Sequence, residues 1–200
     1  MQQLEDLFLV CIQPDGLFVN QAFFEKAQRL RELNHALAGY VWSQFTAKIL
    51  RPGVALAEIY DASINPNADY QRLVNISSRG RVTPDDGVLI GGFIVTGNSP
   101  KTLLIRGIGP ALSSFGIAGA LADPALTIYQ DGKAIATNEG WANSAAITTA
   151  AIQTGAFTLP SGSKDAAVVI TLNPGAYTAQ IKSAKNASSG VALIEIYEVP

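Results

Sequence analysis

At 200 residues and 21.1 kDa, the chain is long enough for one ordinary domain with an appendage, or for two small domains. Hydrophobic residues make up 48% and charged residues only 15%, so the chain can bury a core, which excludes a disordered protein. One His, one Cys and one Met exclude an internal disulfide, a multi-cysteine zinc site and more than one histidine-dependent centre; the net charge of −2 gives no reason to expect a nucleic-acid partner.

The chain starts MQQLEDLFLVC, with Glu5 and Asp6 where a signal peptide needs positive charge and an apolar run from Leu7 to Ile12 too short for its hydrophobic region. That run reads as a short strand or helix, closed by a QPDG turn at 13–16. From Asn20, Phe23, Ala27, Leu30, Leu33, Leu37, Tyr40 and Val41 recur at spacings of three and four, which predicts one amphipathic helix packed on its neighbour. Gly39 ends or bends it. No apolar run reaches the roughly 18 residues that span a bilayer, so no membrane span is expected.

After Leu50 the pattern changes to short β-rich runs: 72–76, 88–95, 102–105, 125–129, 134–136, 166–172, 177–181 and 191–197. Turn signals at PDDG (84–87), GNSP (97–100), QDGK (130–133) and NPG (173–175) separate them at the spacing of a sandwich or barrel. The Ala- and Thr-rich stretch 142–155 predicts a short helix between strands. The fold class is therefore mainly β: an antiparallel β-sandwich of jelly-roll or Greek-key type with about eight strands and an N-terminal helical segment. Three regions follow: residues 1–52 helical, 53–71 a repeat strand plus linker, and 72–200 the β-sandwich.

That repeat strand is Gly53, Val54, Ala55, Leu56, Ala57, Glu58, Ile59 and Tyr60. It recurs as GVALIEIY at 190–197 with seven of eight positions identical. An offset of 137 residues suits a tandem module whose last strand is GVALxEIY. The first copy lacks the remaining strands of such a module. It is expected to lie on an edge, to pair with the complete module, or to add to another chain.

RLVNISSRGRV (72–82), VLIGGFIVTGNSPKTLLIRGIGPAL (88–112), ALADPALTIYQDGKAIATNEGW (120–141), GAFTLPSGSKDAAVVITLNPGAYTAQI (155–181) and the ending SGVALIEIYEVP are long enough to be specific. They resemble a module found, often in tandem, at the C-termini of large exported proteins of Verrucomicrobia and related bacteria, and the resemblance covers residues 53–200. It implies an extracellular, non-catalytic accessory domain. Family members tend to carry an Asn-Asp pair before the Trp, where this chain has Asn138, Glu139 and Gly140. TLNPGAY at 171–177 looks like the tyrosine corner of Greek-key sandwiches, in which the hydroxyl bonds back to nearby backbone, and is similar to a segment of bacterial pre-peptidase C-terminal domains.

Few residues offer chemistry. RGIGPALSSFG (106–116) falls short of a dinucleotide loop, because its third glycine position is Leu112 and no βαβ unit surrounds it; its glycines suit a tight turn with Pro110. Cys11 and His35 both lie in the N-terminal segment, and Asp85 and Asp86 form a solvated turn. Asp123, Asp131, Asn138 and Glu139 flank a hairpin and supply oxygen ligands of the kind Ca²⁺ takes; otherwise they are turn formers and no cofactor is expected. Trp141 beside Tyr129 is either a platform for a sugar ring or a packing residue. Arg72, Arg79, Arg81 and Arg106 form an anion-binding patch or are surface or ion-paired arginines. Asn75 and Asn186 head N-x-S sequons, which matter only in a glycosylating host. The expected function is a non-catalytic module for cell-surface attachment, display or assembly, its partners neighbouring modules or copies of itself. The alternative is carbohydrate binding to polysaccharide. Because the resemblance is to exported proteins, the missing signal peptide is expected to reflect a fragment or a misplaced start.

Overall fold

The computed structural model describes residues 7–12, 55–60, 75–84, 87–186 and 188–200. The expected helix from Asn20, the QPDG turn, His35, Gly53, Val54, Arg72, Asp85 and Asp86 lie outside the described residues. The strands are β1 (Leu7–Ile12), β2 (Ala55–Tyr60), β3 (Asn75–Val82), β4 (Leu89–Val95), β5 (Lys101–Ile108), β6 (Pro124–Gln130), β7 (Lys133–Asn138), β8 (Ala166–Leu172), β9 (Gly175–Ser183) and β10 (Gly190–Glu198). Helix α1 covers Ala145–Thr154, and 3₁₀ turns cover Pro110–Phe115 and Ala184–Asn186.

The strands from β3 onward pair in a nested series: β3 with β10, β4 with β9, β5 with β8 and β6 with β7, all antiparallel. One long ribbon is thus doubled back at residues 130–133 and wrapped so that successive pairs fall in opposite sheets. Cross-links β5–β10 and β6–β9 complete a sheet of order β3-β10-β5-β8 and the run β4-β9-β6-β7 of the other. This is the jelly-roll order. β1 pairs antiparallel with β4 from Phe8↔Phe93 to Ile12↔Leu89, and β2 follows it, so the second sheet reads β2-β1-β4-β9-β6-β7.

Each of the eight runs read from the sequence overlaps a strand, and the first, described from Asn75, continues to Val82, past its expected end at 76. Its centre, SSRGR, carries little apolar signal, and the strand exists because β10 supplies a full ladder from Tyr197↔Asn75 to Gly190↔Val82. At the doubling point, Asp131 (φ 49°) and Gly132 (φ 73°) make the two-residue turn with positive φ at both positions, the type whose twist matches that of the flanking strands. The tyrosine corner forms as expected: the Tyr177 hydroxyl donates to the Asn173 carbonyl at 2.8 Å.

Between the sheets, Leu89, Phe93, Leu126, Ile128 and Ile181 meet Val82, Ile105, Ile194 and Ile196. A second apolar layer lies on the outer face of the four-stranded sheet. There α1 presents Ile147, Ala150 and Ala151, spaced at i, i+3 and i+4, to a cluster with Leu104, Ala167, Tyr197 and Trp141. The sequence expectation of a helix within 142–155 is met, and Gly155 (φ 71°) ends it.

Candidate functional site

Strand β5 alternates: Leu103 and Ile105 face the inter-sheet core, so Leu104, Arg106 and Ile108 face the layer under α1 and the chain that follows it. Arg106 is 0% exposed. Its register partner on β10 is Glu195, whose Oε2 accepts from Arg106 Nε at 2.9 Å and Nη2 at 2.5 Å. Arg106 Nη1 donates to the Phe157 carbonyl at 2.6 Å, and the Phe157 ring covers the guanidinium at 4.2 Å. The Tyr197 hydroxyl donates to the other Glu195 oxygen at 2.8 Å. Burial, and then the Glu195 charge, push the Tyr197 phenol up to about 12. Among the described residues, no buried side-chain nitrogen or oxygen lacks a partner.

This network corrects the arginine patch. Arg79 and Arg81 are exposed on the edge strand β3, whereas Arg106 lies two strands away, buried and paired. Of the two readings, ion pairing holds for Arg106, which is the centre of a charge-assisted cluster.

The glycine-rich turn is occupied from within. Asp165, also 0% exposed, accepts the Gly109 N–H at 2.7 Å and the Ala111 N–H at 3.2 Å, and its carbonyl accepts the Trp141 N–H at 2.8 Å. Those amides are the ones a phosphate would need, and a side chain of the protein already holds them. The tight-turn reading with Pro110 stands.

Trp141 is 6% exposed, packs in the layer with α1, and donates from Nε1 to Ser163 Oγ at 3.1 Å. It offers no open face to a sugar, which corrects the platform reading; the packing role holds. Tyr129, half-buried, lies elsewhere, lining a depression of about 500 Å³ with Gly92, Ile94, Asp131, Thr178 and Gln180.

The four oxygen-bearing residues are divided by their hairpin. Asp123 and Asn138 lie at one end and Asp131 at the other, seven residues of β6 or roughly 23 Å away at about 3.3 Å per residue. Asp123 pairs with Lys164 at 2.5 Å; Asn138 Oδ1 accepts the Gly140 and Ala167 amides at 3.1 and 3.0 Å; Glu139 is exposed. Among the described residues, no group of three or more His, Cys, Asp or Glu is arranged to hold a metal.

The two copies of the repeat hold different places. β10 is central in the four-stranded sheet, and among the described residues β2 is the last strand of the six-stranded one. Glu195 and Tyr197 escaped the sequence reading as a site, although a signal existed: a glutamate inside an apolar strand, present in both copies of GVALxEIY, requires a buried partner. Asp165 carried no comparable signal.

No family model matches the sequence, and no curated protein matches it. Among solved structures, the chain is similar to the pre-peptidase C-terminal domain of a collagenase from Bacillus anthracis, at 13% identity and a TM-score of 0.38, over 62% of this chain and 89% of that one. Among the described residues, no helix is long and apolar enough to cross a membrane.

Proposed function

We propose that this chain is a non-catalytic β-sandwich module of an exported protein, serving cell-surface attachment, display or assembly. It works through surface contacts and strand pairing with neighbouring modules or copies of itself. The observation that carries this reading is the position of β2: among the described residues, a strand with the module's own terminal motif is the last of its sheet, and an edge strand presents backbone N–H and C=O groups to a further strand. The use made of the polar residues supports it too, since Arg106, Glu195 and Asp165 are spent on holding the fold.

Deleting residues 53–60 tests the proposal. The expected result is a lower melting temperature, or loss of the assembled mass in light scattering; a deletion that leaves both unchanged sinks it. Carbohydrate binding is the second reading, carried by the depression beside Tyr129 with its polar Thr178 and Gln180 rather than by Trp141. Polysaccharide pull-down that is lost in Tyr129→Ala favours it.

A further inference from the structure

The slot between β3 and β5, which β10 fills, makes specific demands on its occupant. At Gly190 a Cβ would come within 2.5 Å of the Leu121 backbone. Ala192 is fully buried, Glu195 and Tyr197 complete the Arg106 cluster, Ile196 is buried in the core, and Glu198 pairs with Lys101 at 3.0 Å. Residues 53–61 answer each of them in order, with Gly53, Ala55, Glu58, Ile59, Tyr60 and, for Glu198, the acidic Asp61. The one difference inside the eight residues is Ala57 for Ile194, whose side chain lies beside Gly91 in the core.

Topology allows the exchange. β10 runs antiparallel to β3 with Tyr197 opposite Asn75. A segment 53–60 in the same register would bring Tyr60 beside Asn75, and the fourteen residues 61–74, which reach up to roughly 48 Å, would close the turn to β3.

We propose that the β3/β5 slot is a binding site for GVALxEIY segments, with Arg106 reading the glutamate, and that residues 53–60 of the same chain are its second occupant. When they enter, the module closes from its N-terminal side and β10 is released to pair elsewhere. Ile194 fills space that Ala57 leaves empty, so β10 holds the slot in the unaltered chain. The inference rests on the reading of 53–60 as a strand-pairing segment and adds its acceptor.

The test uses the full chain. Glu195→Ala weakens β10 for the slot without touching the other copy. The expected result is a folded monomer by circular dichroism and light scattering whose residues 190–200 are now lost to limited proteolysis. Adding Glu58→Ala should unfold it, a loss larger than Glu58→Ala causes in the unaltered chain, and Ala57→Ile should raise the melting temperature of the Glu195→Ala chain. The proposal is overturned if the Glu195→Ala chain keeps residues 190–200 protected, if it unfolds outright, if Glu58→Ala adds nothing to it, or if the folded species is a dimer. These readouts are intramolecular, so a chain that never self-associates fails the assembly reading and leaves this one standing.

Discussion

The most consequential residue is Arg106, because a guanidinium removed from water is tolerable only where its partners replace the lost hydration. Glu195, the Phe157 carbonyl and the Phe157 ring do so. Removing one partner of such a pair leaves a buried charge unmatched. Arg106→Met is expected to cost about 3–5 kcal/mol in denaturant unfolding, and adding Glu195→Leu should restore part of that loss, a non-additivity that separates pairing from simple packing. Tyr197 gives the cluster a pH signature. With a folded-state pKa raised from 10.0 to about 12, its contribution is complete below pH 10 and is lost as pH rises through about 12, because the unfolded phenol ionises first. Ultraviolet titration should show a tyrosine ionising near 12 that disappears in Tyr197→Phe, together with a steep loss of stability above pH 10. Calcium should not shift the melting temperature, since Asp123 is already paired and Asn138 already accepts two amides.

Among elements, α1 and its flanking chain turn the outer face of one sheet into a second core. Asp165 fastens this layer by holding the first turn of the 3₁₀ segment and the Trp141 backbone together. Asp165→Ala strands two buried amides and should destabilise the protein by about 1–3 kcal/mol per unmatched group, seen as a fall in the denaturation midpoint. β7 and β3 stand at the opposite extreme. Among the described residues both are edges of their sheets with exposed polar residues, and each has a ladder with a single neighbour. That is why a reading based on apolar side chains ends β3 at residue 76, six short of Val82, whereas it places β4, β8 and β10, rich in Val, Ile and Leu, within two residues.

For the whole molecule, nested pairing means that the first and last strands of the jelly roll meet, with Asn75 opposite Tyr197, and that the sheets close only when the ends of the ribbon come together. Such non-local closure makes for cooperative, slow folding. In a Trp42→Phe chain, Trp141 fluorescence and the sheet signal in circular dichroism are expected to fall in one coincident transition; separate midpoints would show that the α1 layer melts alone. By itself, the sequence determined what local patterns govern: eight strands, the 130–133 turn, the tyrosine corner, the helix within 142–155 and the duplicated strand. Alternation, turn chemistry and repetition are written into neighbouring residues. Only the tertiary structure decided which distant residues meet. It buried Arg106 against Glu195 eighty-nine positions away, took Trp141 out of reach of a ligand, and set Asp131 apart from Asp123. It also seated one copy of GVALxEIY at the centre of one sheet and, among the described residues, the strand of the other at the edge of the second, a choice two almost identical sequences cannot express, because it depends on what lies on either side of each strand.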